Sequence, residues 1–477
     1  MSERPRKSVF VQAFHEKLGF TPTPDQELAI HALTDYVMNP EELELFILSG
    51  YAGTGKTSLV AALVNTLRVF HVKTVLLAPT GRAAKVLSGY SNQRASTIHR
   101  YIYYSNESDE QGGFYLSKNR NKDTLFIIDE ASMIAIDSGI EGDNHFTPRN
   151  LLDDLIEFVY SAENCKLVFV GDHGQLPPVG METSPALDAN YLRSNYSMPV
   201  KTAKLDQIVR QKKQSGILDI ATKLREFTAE LPLLPHNNGD ARSISGMDLQ
   251  EELESCISKF GRDEVMVVTR SNKRANLFNE QIRRRILWQE EDLNAGDVIM
   301  AVKNNYFWLD PKSPAGFIAN GELLEITKVI RREEQYGFRF ADVSVRFIDY
   351  PDMPAVELKI ILDAIHVEAP SLTREQQKAL FYNIVQQEYP YEMNKRVRNR
   401  KMVTNPHFQA LQVKFGYAVT CHKAQGGQWS AVFVDHGYFV DDMWNVEYMR
   451  WLYTAVTRSS LQLYLVNFNP GFIGTND

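Results

Sequence analysis

Gly50-Tyr51-Ala52-Gly53-Thr54-Gly55-Lys56-Thr57 fits the phosphate-loop pattern G-x-x-x-x-G-K-[ST]. Glycines at these places let backbone N–H groups close around phosphate oxygens. Lys56 can then reach the β and γ phosphates of a nucleoside triphosphate, and the Thr57 hydroxyl can hold Mg²⁺. Further along, the apolar run Leu125-Phe126-Ile127-Ile128 delivers two carboxylates, Asp129 and Glu130. Asp129 suits the metal, and Glu130 suits the polarising of an attacking water. A third apolar run, Lys166–Gly171, delivers Asp172 and Gln175, where a Gln amide can sense a γ-phosphate. Each of the last two segments alone reads as an ordinary polar turn or Pro-rich strand exit. Together with the upstream loop they read as one nucleotide-hydrolysing site.

These residues need elements that hold them. Strands are predicted at Leu45–Ser49, Thr74–Ala78, Leu125–Asp129 and Leu167–Gly171, with a helix over Ser58–Leu67 behind the phosphate loop. Alternating strand and helix patterns imply a mostly parallel sheet covered by helices. A second set, Val265–Thr269, Phe415–Thr420, Ala431–Asp435 and Leu463–Phe468, carries no second phosphate loop. Between about 295 and 410 the short strands Gly321–Val329, Phe338–Phe347 and Ala355–Ile361 predict a small β-barrel insertion, and 371–401 a charged helical excursion. Aromatics flanking the Gly112-Gly113 turn predict a hairpin between Tyr101 and Lys118.

The chain has 477 residues, which suggests two to four domains. Hydrophobic residues make up 44% and charged residues 23%, as in globular proteins with large cores. No apolar run is long enough for a membrane span, and Met1–Phe10 lacks a signal-peptide core. Cys165, Cys256 and Cys421 are scattered without metal spacing, which fits a reducing, cytoplasmic setting. The net charge of −7 argues against a bulk polyanion binder yet leaves room for a local basic groove.

The ordered motifs of this chain resemble those of superfamily 1B DNA helicases of the RecD and Dda type. They include Thr23-Pro24-Asp25-Gln26, the phosphate loop, and Ala78-Pro79-Thr80-Gly81-Arg82-Ala83-Ala84-Lys85. Ala95-Ser96-Thr97-Ile98-His99-Arg100, Asp129-Glu130-Ala131-Ser132-Met133 and Gly171-Asp172 with Gln175-Leu176-Pro177 follow. The second half supplies Ile208-Val209-Arg210-Gln211, Asn320-Gly321-Glu322, Thr420-Cys421-His422-Lys423-Ala424-Gln425-Gly426 and Leu452-Tyr453-Thr454-Ala455-Val456-Thr457-Arg458. One departure stands after Gln425-Gly426: many relatives carry a small residue and then Glu, where this chain has Gly427 and Gln428.

The resemblance implies an α/β fold with two RecA-like domains. Residues 1–22 would be a lead-in, and 23–205 the first domain with its hairpin at about 100–122. Residues 206–294 and 411–477 would form the second domain, interrupted by the barrel at 295–410 with a helical extension at about 371–403. The implied activity is ATP hydrolysis, with Mg²⁺, coupled to 5′→3′ movement on single-stranded DNA and duplex unwinding in replication, recombination or repair. The residues alone give no polarity. Gln26 would recognise the adenine edge, and Gly53, Thr54, Gly55, Lys56 and Thr57 would hold the phosphates. Arg210 and Arg458 would contact the γ-phosphate.

The implied partners are single-stranded DNA and single/double-strand junctions, with a single-strand-binding or replication or repair protein as a candidate, and no membrane. Pro79, Thr80, Arg82, Thr97, His99, Thr420, His422 and Lys423 would grip the DNA backbone. An aromatic at the hairpin tip could stack on the last base pair, or the aromatics could pack the hairpin on its own domain; Phe114 is the candidate for the first role. The basic runs Lys395–Lys401 and Arg283–Arg285 read as solvated faces or as further backbone contacts.

Overall fold

The computed structural model describes residues 7–39, 43–105, 114–136, 150–208, 215–228, 230–234, 237–310, 313–392 and 394–473. Its contacts divide the chain into two units. The first holds Met1–Tyr104, Phe114–Phe227 and Asn445–Thr457; the second holds Ser105–Gly113, Thr228–Trp444 and Arg458–Asp477.

In the first unit the strands are β1 (Leu45–Gly50), β2 (Lys73–Ala78), β3 (Ala95–Thr97), β4 (Tyr103–Ser105), β5 (Phe114–Leu116), β6 (Thr124–Ile128), β7 (Lys166–Gly171) and β8 (Val200–Leu205). Six of them form a parallel sheet in the order β3-β2-β6-β7-β1-β8, while β4 and β5 pair as a separate hairpin. The central strands β1, β6 and β7 are buried along their whole length. They read as continuous apolar runs because both faces of the sheet are covered. Successive residues feed opposite layers. Phe46, Leu48, Ile127, Val168 and Val170 join one apolar cluster, and Leu45, Ile47, Phe126, Ile128, Leu167 and Phe169 join the other. Since all six strands run the same way, the loops after β1, β2, β6 and β7 leave from one sheet edge, where α/β proteins place their ligands.

The second unit has its own six-stranded sheet. Its strands are β9 (Asn237–Asn238), β10 (Ala241–Ile244), β11 (Val265–Thr269), β17 (Ala418–Thr420), β18 (Trp429–Asp435) and β19 (Ser459–Val466), in the order β17-β11-β18-β19-β10-β9. All pairs are parallel except the edge pair of β9 with β10. Between β11 and β17 the chain builds a closed barrel from β12 (Val298–Ala301), β13 (Leu323–Gln335), β14 (Phe338–Phe347), β15 (Val356–Ile361) and β16 (Leu411–Phe415). The helices Arg374–Glu388 and Lys395–Val403 form the excursion. Leu380, Ile384 and Met402 from it pack with Tyr336, Phe338 and Phe340 at the β13–β14 turn.

Two details depart from the sequence reading. The run Phe415–Thr420, expected as one strand, is divided: Leu411–Phe415 closes the barrel and Ala418–Thr420 joins the sheet. The break falls at Gly416, where a Cβ would come within 3.0 Å of both Leu323 and Val298. The barrel's last strand thus lies beyond the expected boundary at residue 410. Secondly, the crossover from β18 to β19 contains the helix Val446–Val456, and Asn445–Thr457 groups with the first unit.

Candidate functional site

The phosphate loop leaves β1 at Gly50 and passes through two left-handed glycines, Gly53 (φ 79°) and Gly55 (φ 83°). A Cβ would strain the backbone at both. The helix Lys56–Val69 starts directly after them, so its free N–H groups and positive dipole end face the loop. Lys56 Nζ folds back over the loop, donating to Gly50 O (2.5 Å) and Tyr51 O (2.9 Å), and lies 3.7 Å from Asp172 Oδ2.

Asp172 follows β7 and is buried. Its Oδ1 accepts from Gly174 N (2.8 Å), and its Oδ2 accepts from the Tyr453 hydroxyl (2.7 Å). The same hydroxyl accepts from Ala52 N at 2.7 Å, so Tyr453 joins the phosphate loop to Asp172. Burial and the Asp172 charge raise the Tyr453 pKa well above the ordinary phenol value, so it remains a neutral donor. On the outer side of the loop, Arg225 Nη2 donates to Ala52 O (3.3 Å), and its guanidinium lies 4.8 Å from the Tyr51 ring centroid.

Asp129 follows β6. Burial raises its carboxyl above the usual range, opposed by the hydrogen bonds it accepts from the Tyr90 hydroxyl on Oδ2 and Glu130 N on Oδ1 and by the Lys56 charge. Glu130 has φ 52° and ψ 38°, a left-handed conformation that costs a non-glycine residue about 1–2 kcal/mol. Strain of this kind is held at functional sites by the surrounding structure. Gln175 is buried, and its Oε1 has no hydrogen-bond partner among the described residues. Ser132 Oγ is likewise unpartnered. Thr57 and Asp129 supply the hard oxygen donors that suit Mg²⁺, which keeps most of its other ligands from water and phosphate.

Gln26 is fully buried with both ends of its amide engaged. Oε1 accepts from Thr23 N (3.0 Å) in a capping box, and Nε2 donates to Thr54 O (3.0 Å) in the phosphate loop. Contact with an adenine edge requires one of these bonds to open. Arg458 is buried in the second unit, where its Nη1 donates to Gly427 O at 3.2 Å and its carbonyl accepts from Trp429 N. Arg210 lies outside the described residues.

The residues expected to grip a strand sit on sheet edges. Pro79 and Thr80 follow β2, Thr97 ends β3, and Ala78 pairs in register with Thr97. Both threonine hydroxyls cap helices, Thr80 Oγ1 accepting from Ala83 N (3.2 Å) and Thr97 Oγ1 from Arg100 N (3.3 Å). Arg82 lies in the first turn of the helix Gly81–Ser91. Burial pushes the His99 imidazole down to about 4, so it is neutral at pH 7. In the second unit Thr420 ends β17, in register with Thr269 of β11, and His422 and Lys423 follow on the short helix Cys421–Ala424. Burial pushes the Lys423 ammonium down to about 8.

The hairpin aromatics divide by role. Tyr101 packs edge-on against Phe126 and Phe158, and the Tyr103 hydroxyl donates to Asp154 Oδ2 (2.7 Å). Tyr104 and Tyr115 are exposed, with ring centroids 5.8 Å apart. The Phe114 backbone is in β5, while its side chain lies outside the described residues. Of the basic runs, Arg283 is buried and makes a two-pronged pair with Asp297 (2.9 and 2.8 Å), a structural role. Tyr90, Tyr453 and Arg225 were not assigned roles from sequence. Tyr453 lies inside a recognised motif, whereas Tyr90 and Arg225 carry no spacing signal.

A phosphate loop, a strand-end carboxylate pair and a neighbouring Asp and Gln on one parallel sheet edge are the elements of a P-loop NTPase fold. Residues 23–234 match the AAA domain family, and residues 415–466 match the UvrD-like helicase C-terminal domain. The ATP-dependent RecD2 DNA helicase of Deinococcus radiodurans is 30% identical over 177 residues, 37% of this chain and 21% of its own length. The ATP-dependent DNA helicase dda of Enterobacteria phage T4 is 25% identical over 294 residues, 58% of this chain and 62% of its own length. The chain thus spans less than two thirds of either helicase. A crystal structure of a Pif1 helicase from Bacteroides in complex with ADP-AlF3 and ssDNA is 15% identical, with TM-score 0.49, covering 96% of this chain and 95% of that one. In these stretches the chain is similar to ATP-dependent DNA helicases of the RecD and Dda type.

Proposed function

We propose that this protein hydrolyses Mg²⁺·ATP to move 5′→3′ along single-stranded DNA and to separate duplex strands at single/double-strand junctions. The observation that carries the reading is the convergence of Lys56, Asp172, Asp129 and Gln175 on one sheet edge, with Lys56 3.7 Å from Asp172. When bound, Mg²⁺ screens the phosphate charge. The loop N–H groups from Gly53 to Thr57 hold the phosphates, and Lys56 exchanges its carbonyl partners for phosphate oxygens. Thr57 and Asp129 hold the metal. Glu130 takes the proton of the attacking water, and the free Oε1 of Gln175 offers that water an acceptor. Arg458 and Arg210 stabilise charge on the transferred phosphoryl, an effect worth about 10³–10⁵ in rate in related hydrolases.

Movement follows when nucleotide and empty states favour different arrangements of the strand-gripping residues. Pro79, Thr80, Arg82, Thr97, His99, Thr420, His422 and Lys423 contact the backbone without reading sequence. Replication, recombination or repair is the setting proposed, with a single-strand-binding or repair protein as partner. Unwinding of 5′-tailed, 3′-tailed and blunt duplexes tests the reading. Activity on the 5′-tailed substrate alone is expected. ATP turnover with no strand separation on any of them would instead assign the protein to remodelling of protein–DNA complexes. Phe114→Ala is expected to weaken unwinding while DNA-stimulated turnover stays near normal; no loss would leave Phe114 as a packing residue.

A further inference from the structure

Tyr90 belongs to none of the motifs. It lies near the end of the helix Gly81–Ser91, and its ring packs against the first apolar cluster of the sheet. That anchorage fixes where the phenol oxygen points. It donates to Asp129 Oδ2. The hydroxyl thus holds Asp129, one of the two groups expected to hold the metal. A phenylalanine would fill the same space on the core, so packing explains the ring and leaves the hydroxyl to be explained.

Asp129 Oδ1 is already occupied by Glu130 N. With Tyr90 on Oδ2, both carboxylate oxygens have a fixed donor, and the remaining lone pairs point in defined directions.

We propose that Tyr90 is a positioning residue for the Mg²⁺·ATP site, orienting the Asp129 carboxylate so that its oxygens present lone pairs to the cation. This rests on the nucleotide-site reading above. Outer-shell partners of this kind are typically worth about 10–100-fold in metal affinity. The test is Tyr90→Phe, which keeps the ring. Mn²⁺ binding in the presence of ADP is followed by electron paramagnetic resonance, and ADP binding in EDTA is measured alongside. Tyr90→Phe is expected to weaken Mn²⁺ binding about tenfold while ADP affinity in EDTA stays unchanged. Equal or tighter Mn²⁺ binding would overturn the proposal. So would a matching loss of ADP affinity in EDTA, since the phenol would then be a structural prop for the loop. A wild-type protein that binds ADP yet no Mn²⁺ would instead sink the metal assignment of Thr57 and Asp129 on which the proposal stands.

Discussion

Each unit has a six-stranded, mostly parallel sheet with an edge from which loops depart, and the two edges are armed differently. The first edge pairs its charges. Lys56 faces the buried Asp172, Asp129 is raised by burial and held by donors, and two left-handed glycines open the backbone toward a ligand. The second edge presents a cation instead: Lys423, on the short helix after β17, has its ammonium group pushed down to about 8 by burial. A balanced edge suits a metal–triphosphate whose charge must be met and then released. A desolvated cation suits the phosphates of a strand, which bring the negative charge themselves. Two similar sheets can thus be armed for different ligands, because the chemistry resides in the loops.

The strongest way to break this contrast is Lys56→Ala. ATP turnover should fall by roughly 10²–10³ or more, because a preorganised cation at the transferred group is removed. Single-strand binding should persist, since the strand contacts lie elsewhere. Steady-state turnover and fluorescence anisotropy on a labelled oligonucleotide measure the two; surviving turnover would remove the loop from the reaction.

Tyr453→Phe asks whether the first edge is held together by its own network. The hydroxyl lost is bonded to a buried carboxylate and to Ala52 N. Hydrogen bonds to charged groups contribute about 1.5–3 kcal/mol, so denaturant titration of the variant should show a loss near 2 kcal/mol. An unchanged midpoint would mean that water replaces the phenol without cost.

Gln26→Ala sharpens the comparison further. With both amide ends on protein groups, Gln26 is expected to brace the phosphate loop, so kcat/KM should fall about tenfold for ATP and GTP alike, the loss of one buried bond to Thr54 O. A loss confined to adenine nucleotides would assign it to the base instead.

The smallest effect concerns pH at the second edge. Lys423 is charged at pH 7 and loses its proton as pH rises through about 8. Single-strand affinity should therefore weaken about threefold between pH 7 and 9, through proton linkage at this contact. His99, held near 4, does not titrate in that window. Lys423→Arg should flatten the curve, because its guanidinium stays charged; an equally steep curve would move the effect elsewhere.

Much of the fold was legible because buried parallel strands announce themselves. Runs such as Leu45–Leu48 and Leu167–Val170 are apolar at every position, and the turn residues after them mark the edge. The single strand expected at Phe415–Thr420 failed for a local reason. Continuous hydrophobicity there serves two different sheets, and only the crowding around Gly416 reveals the break. The grouping of Asn445–Thr457 with the first unit was equally hidden. A buried amphipathic helix shows which of its faces is apolar, and not what that face meets.

The sequence by itself determined the chemistry on offer: the phosphate loop, the carboxylate pair at 129 and 130, and the order of the motifs along the chain. These depend on residue type and short spacing, which the chain states directly. Only the tertiary structure decided who stands beside whom. Tyr90 reaches Asp129 from the end of another helix, Tyr453 meets Asp172 and Ala52 across hundreds of residues of chain, and Gln26 turns its amide to Thr54. Such contacts leave no periodic trace, because side-chain hydrogen bonds between distant segments are fixed by how the layers pack and by the need of every buried polar group to find a partner.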